Sequence, residues 1–227
     1  MEFLDQLLFY PLDQLPFYLI ALMIAFTVHE FAHAYAAYKF GDPTAKMLGR
    51  VTLNPAVHFD FLGIFLLLIA GFGWARPVPV NRDNFSRPRR MSVIVSAVGP
   101  LSNLALGIVG ALIYAALYQF GVIDAVGTNR VDQAVHIFFN TFILLNFFLC
   151  LFNLIPLPPL DGYRILSEVL PPRVSARLRV IEQWSILIFL MIIIVPAFQA
   201  HTIRPLYNAA HMLSIEFLNL FILLFGG

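Results

Sequence analysis

The run His29-Glu30-Phe31-Ala32-His33 carries two imidazoles and a carboxylate within little more than one helical turn. On an α-helix, positions i and i+4 lie on one face, so both imidazoles can reach a single zinc ion. The glutamate between them then points to the open side of the metal. There it can take a proton from an attacking water and later deliver it to a leaving amine. This is the chemistry of metal-assisted peptide-bond hydrolysis. The setting sharpens the reading, because PFYLIALMIAFTV precedes the motif and AYAAYKF follows it. Ionisable groups inside such an apolar segment are costly and face the protein interior. The competing reading is a buried polar cluster that glues helices together. Ala34, Ala36 and Ala37 permit close approach of a neighbouring helix under either reading.

The elements that must position these groups are membrane helices. Of 227 residues, 60% are hydrophobic and 12% charged, with a mean hydropathy of +0.82; soluble domains carry about 25% charged residues. The expected fold is an all-α polytopic bundle of about five transmembrane helices. Segments near 15–39, 92–119, 134–155 and 182–200 have the roughly 20 apolar residues that a span needs, and 206–226 is acceptable as a fifth. The apolar stretch 61–72 is too short to cross and reads as a re-entrant or interfacial piece. Before it, residues 47–60 hold β-formers and an Asn-Pro turn, which predicts a small sheet or hairpin tucked against the bundle. The N-terminus lacks the basic region of a signal peptide, so the first apolar segment is expected to stay.

Charge sets the expected orientation. The 40–91 connection holds Lys46, Arg50, Arg76, Arg82, Arg87, Arg89 and Arg90; the 156–181 connection holds Arg164, Arg173, Arg177 and Arg179. Positive connections stay in the cytoplasm. The N-terminus is then outside and, after five spans, the C-terminus inside, in an integral multi-pass protein of the cell membrane. A net charge of +1 gives no reason to expect nucleic acid. The single cysteine, Cys150, cannot form an intramolecular disulfide.

Catalytic zinc usually has three protein ligands. His29 lies about 21 Å along the first span, nearer its cytoplasmic end. The span near 134–155 runs in the same direction and ends in LFNLIPLPPLDGYR, so Asp161 reaches the same leaflet. A carboxylate amid so much apolar sequence needs a partner. Asp124 and Asp132 fall on the wrong side. Asp60 comes before the short apolar segment, not at a helix end. Asp161 is therefore the expected third ligand, against the alternative of an Asp-Gly turn.

HExxH in one span and Asn153, Pro156, Pro159, Leu160, Asp161 and Gly162 near the end of a later one resemble the site-2 protease family of intramembrane zinc metalloproteases. GRVTLNP at 49–55 with His58 and Asp60, GWARPVPV at 73–80, and Gly99, Pro100 and Asn103 add to the resemblance. It implies that His29, His33 and Asp161 ligate one Zn2+ per chain and that Glu30 is the general acid/base. It further implies that Asn103 and Asn153 line the site, contacting substrate backbone or the developing oxyanion. From the residues alone, an amide inside an apolar span is costly unless bonded, and interhelical hydrogen bonding is the alternative use for both. His58 takes a family position, with orienting, transition-state and structural roles all open.

The 120–133 connection has no room for the PDZ domain of many members, and no regulatory domain is expected after residue 226. A short, core-only form is expected: one domain over 1–227, with a catalytic core of about 15–165 and two accessory C-terminal spans. The implied partners are the lipid bilayer and a transmembrane protein substrate, with residues 44–60 offering a strand edge to an unwound segment. A prenyl-protein-protease-like zincin would take its third ligand from Glu168, Glu182 or Glu216. A metal transporter or silent scaffold would use the same cluster without hydrolysis.

Overall fold

The computed structural model describes residues 11–70, 73–124, 127, 129–171, 173–175, 178 and 182–226. Helix α1 (Leu15–Lys39) is followed by the short α2 (Thr44–Met47) and by α3 (Phe61–Ala70). Two long helices, α4 (Pro88–Gln119) and α5 (Arg130–Asn153), complete the inner bundle. Then come α6 (Asp161–Val169), α7 (Ser185–Ile194), α8 (Pro196–His201) and α9 (Ile203–Gly226). Local chemistry sets several of these boundaries. Pro16 and Pro88 open α1 and α4, where a missing N–H costs nothing. The Asn129 side chain accepts from Asp132 N at 2.9 Å and so caps α5.

Helices α1, α4 and α5 pack side by side. Ala21, Leu22 and Ala25 of α1 meet Phe142, Leu145 and Leu149 of α5, with Leu67 of α3 beside them. Across the bundle, Ala111 of α4, Ile143 and Phe147 of α5 and Ala210 of α9 form a second core. The small residues on α1 and α4 bring backbones close, which is how membrane helices associate when no water is expelled between them. Helix α3 has ten residues, about 15 Å, and is too short to cross, as its length foretold.

The all-α, polytopic reading is borne out, with four described helical segments long and apolar enough to cross a membrane: 15–39, 88–119, 130–153 and 196–226. The expected span at 182–200 is different. Its helix α7 stops after ten residues at Ile194, Val195 turns extended (ψ 118°), and Pro196 starts a new helix. A proline disfavours helical geometry in the residue before it, which breaks the segment here.

The direction of α9 follows from its contacts. Phe217 stacks on Phe147 at 5.4 Å, and Phe225 reaches Phe120 at 5.8 Å. Helix α9 therefore ends beside the end of α4. Because α4 runs antiparallel to α1, that is also the face where α1 begins. The expectation that five spans carry the C-terminus to the opposite face is corrected accordingly.

Residues 44–60 also depart from expectation. Among the described residues there is no strand, only an isolated antiparallel bridge between Phe59 and Ala75. Instead of a ladder, the segment uses Arg50. Its guanidinium donates to the carbonyls of Val57, Arg76 and Pro77, the last at 3.1 Å.

Candidate metal centre

Helix α1 places His29 and His33 one turn apart on its buried face, against α4 and the first turn of α6. Their ring Nε2 atoms lie 3.0 Å apart. Asp161, the first residue of α6, brings Oδ2 to 3.2 Å from His29 Nε2 and 3.1 Å from His33 Nε2. All three residues are buried, and they form the one such cluster found among the described residues.

The far side of each ring decides which atom faces inward. His33 Nδ1 lies 2.6 Å from the carbonyl oxygen of Val95, which can only accept, so Nδ1 carries the proton. His29 Nδ1 lies 2.7 Å from Asn103 Oδ1 and donates to it in the same way. In the neutral imidazoles, the form that binds a metal, both Nε2 atoms are then bare lone pairs. With the aspartate oxygen they make three acceptors at mutual distances of 3.0–3.2 Å, with no proton to share. Such a triangle repels itself unless a cation sits in it. Ligand bonds of about 2.0–2.1 Å in a tetrahedral zinc site give ligand–ligand edges of about 3.3–3.4 Å. The donor set and its spacing therefore fit zinc.

Glu30 is half-buried and turns toward the connection between α3 and α4, where Val78 N donates to its Oε2 at 2.9 Å. Residues 73–81 thus form an extended strap across the glutamate. Arg76 N donates to His58 O at 2.8 Å, and Asn81 N to Asp42 Oδ2 at 2.7 Å. Arg82 pairs with Glu168 of α6.

The remaining sequence candidates separate. Asn103 is at the centre but does not point into it as an oxyanion donor. Its Oδ1 accepts from His29, and its Nδ2 donates to Asn146 Oδ1 at 3.0 Å and Ala25 O at 3.3 Å. Both amide ends are spent and the side chain is fully buried, so Asn103 holds the His29 ring in place. Asn153 donates back to Leu149 O of its own helix at 3.0 Å, away from the His-His-Asp cluster's own bonds. His58 is fully buried under the strap, and its Nε2 lies 2.8 Å from Thr52 O. Its contacts are with backbone of the 50–77 region. Glu168 and Glu182 are engaged with Arg82 and Tyr163, and Glu216 is exposed on α9, so none supplies a third ligand.

Three participants escaped sequence reasoning. Val95 acts through its backbone, which leaves no signal. Arg50 was read as a topology charge and as part of the GRVTLNP stretch, with no bonding role. Asn146 carries the same signal that drew attention to Asn103 and Asn153, an amide within an apolar span.

An HExxH helix completed by a buried aspartate, inside a bundle of membrane-length helices, defines the class of membrane metalloproteases. The chain belongs to peptidase family M50, the site-2 protease family, whose model matches residues 17–196. It is 46% identical over 207 residues to a Bacillus subtilis (strain 168) protein named "Putative zinc metalloprotease YwhC", covering 91% of this chain and 92% of that one. It is 31% identical over 185 residues to Rip2 of Mycolicibacterium smegmatis, which bears the same description, and over 180 residues to Rip2 of Mycobacterium tuberculosis. These matches cover 77% of this chain and 65% of each Rip2 protein. No solved structure matches it significantly. Helices α4 and α5 are joined by residues 120–129, which leaves no room for a PDZ domain.

Proposed function

We propose that this protein is an intramembrane zinc metalloprotease that hydrolyses peptide bonds in or near the transmembrane segments of membrane-protein substrates. His29, His33 and Asp161 hold one zinc per chain. When bound, zinc supplies Lewis acidity for activating water and polarising a carbonyl. Glu30 takes a proton from the attacking water and passes it to the amine that leaves as the C–N bond breaks. The Val78 N–H fixes one oxygen of that carboxylate. Asn103 and the Val95 carbonyl hold the two imidazoles in the tautomer that presents Nε2. The basic connections that flank the cluster face the cytoplasm, in keeping with the positive-inside rule.

The observation that carries this reading is the triangle of three ligand atoms, 3.0–3.2 Å apart, next to Glu30 on a membrane-length helix. The test compares wild type with Glu30→Gln for bound zinc, and for cleavage of single-span peptides in bilayers beside a soluble peptide. We expect zinc in both proteins, and cleavage of the spanning peptides lower by about 10²–10⁴-fold in the variant. Cleavage that survives in Glu30→Gln refutes the role of Glu30. Cleavage confined to the soluble peptide refutes the intramembrane substrate. A wild type that binds zinc and cuts nothing favours a silent scaffold.

A further inference from the structure

Asn146 sits near the middle of α5, fully buried between Leu145 and Phe147. An amide at that depth is costly unless both ends are bonded, and here both are. Its Nδ2 donates to Phe142 O at 2.8 Å, and its Oδ1 accepts from Asn103 Nδ2 at 3.0 Å. The polarity of this chain can be read from its far end. A backbone carbonyl only accepts, so Phe142 O must face the Asn146 amino group, which turns the Asn146 oxygen toward Asn103. Only the Asn103 amino group can meet it, so the Asn103 oxygen faces His29. His29 Nδ1, 2.7 Å away, must then carry the proton, which leaves Nε2 bare toward Asp161 and His33. Ala25 O, at the longer distance of 3.3 Å, binds the same Asn103 amino group. His33 needs no relay, because Val95 O bonds it directly.

We propose that Asn146 is a positioning residue that fixes, through Asn103, the tautomer in which His29 binds zinc. This rests on the zinc reading of the cluster. The test is zinc affinity by chelator competition on the full chain in bilayers, for wild type, Asn146→Leu, Asn146→Asp, Asn103→Ala and the Asn146→Leu/Asn103→Ala double variant. Partners behind metal-ligating histidines are worth about 10–100-fold in affinity, and Asn146 is one bond further out. We expect Asn146→Leu to bind zinc about tenfold more weakly, and the double variant no more weakly than Asn103→Ala alone. Asn146→Asp, held neutral by its apolar surroundings, can donate to Phe142 O and accept from Asn103, and is expected to keep affinity within about threefold of wild type. If Asn146→Leu does not accumulate as monodisperse protein, Asn146→Val replaces it. Equal losses in the Leu and Asp variants, or additive losses in the double variant, overturn the relay in favour of plain packing. Wild-type affinity in Asn146→Leu also overturns it. A wild type that takes up no zinc refutes the metal reading itself.

Discussion

Replacing Gly99 by alanine tests the centre with a single methyl group. Gly99 lies on α4 where that helix presses against the ligands. A Cβ built there falls 2.2 Å from His33 Nε2, 2.4 Å from His33 Cε1 and 2.8 Å from His29 Cε1. The closest of these is about 1.2 Å short of the 3.4 Å at which ordinary contact begins. The ring cannot swing aside freely, because its Nδ1 is tied to Val95 O of the same helix at 2.6 Å. Zinc sites tolerate deviations of about 0.2 Å in ligand distance, so the required displacement is several times too large. A shift of 1 Å in a reacting group is worth about 10²-fold, and Gly99→Ala is expected to lose at least that much in zinc affinity and in cleavage. Helix α4 itself should not suffer, since alanine is favoured over glycine within a helix by roughly 0.5–1 kcal/mol. The assay is zinc content after dialysis against a graded chelator, alongside circular dichroism and thermal unfolding in the same detergent. Full zinc occupancy and unimpaired cleavage in Gly99→Ala would show that α4 does not sit against the imidazoles as described.

Gly162→Ala probes the aspartate instead. The new Cβ would lie 2.2 Å from Leu154 O and 2.6 Å from Ile155 O, and backbone cannot yield, so the first turn of α6 must move and carry Asp161 with it. We expect zinc loss comparable to that of Asp161→Ala; retained zinc counts against the placement of α6. A third prediction concerns acid. Buried Asp42 accepts from Thr44 Oγ1 at 2.5 Å, Thr44 N at 3.1 Å, Asn84 Nδ2 at 2.7 Å and Asn81 N at 2.7 Å. Burial pushes its carboxyl up, but these bonds outweigh it and leave it below the ordinary value of 3.8. Because the folded value is the lower one, the stabilisation is complete above the unfolded pKa of about 4 and fades as pH falls through the folded value. Wild-type melting temperature should therefore drop on acidification below about pH 4. Asp42→Asn should lack that step and be less stable at neutral pH by about 1–3 kcal/mol. An unchanged acid profile would show that Asp42 is not the group responsible.

The chemistry was more legible in the sequence than its supports were. HExxH announces itself because a helix converts i, i+4 spacing into one face, and Asp161 follows once two spans run in the same direction. Three of the long helices follow from hydropathy alone. The segment 182–200 misled because length and apolarity were weighed without the break that Val195-Pro196 imposes. Residues 47–60 misled for another reason. Their β-branched residues favour extended backbone, but strand propensity is realised only where a partner strand exists, and here Arg50 takes up the carbonyls instead. Asn103 was correctly picked out as costly at its depth. Its direction could not be read, since that depends on Asn146, 43 residues further along on another helix.

The 40–87 connection looks like a cytoplasmic loop in sequence, yet its bonds link the glutamate to the aspartate helix. It is tied back on itself just past the end of α1 through Asp42, and pinned to the middle of α1 through Glu30 and to α6 through the Arg82–Glu168 pair. Glu30 and the helix that begins with Asp161 are thus fastened to one short run of backbone, residues 78–82. That run and the residue before it cannot stiffen as a strand would, because Pro77 and Pro79 have no N–H to donate. Arg50 supplies what the prolines withhold. Its planar fork reaches three carbonyls from two separate turns, a task for which the single ammonium of a lysine has the wrong shape. Burial lowers the pKa of this guanidinium, and the nearby negative charge of Glu30 opposes that shift. The negative charge of Glu30 therefore attracts the guanidinium that holds its own scaffold in place.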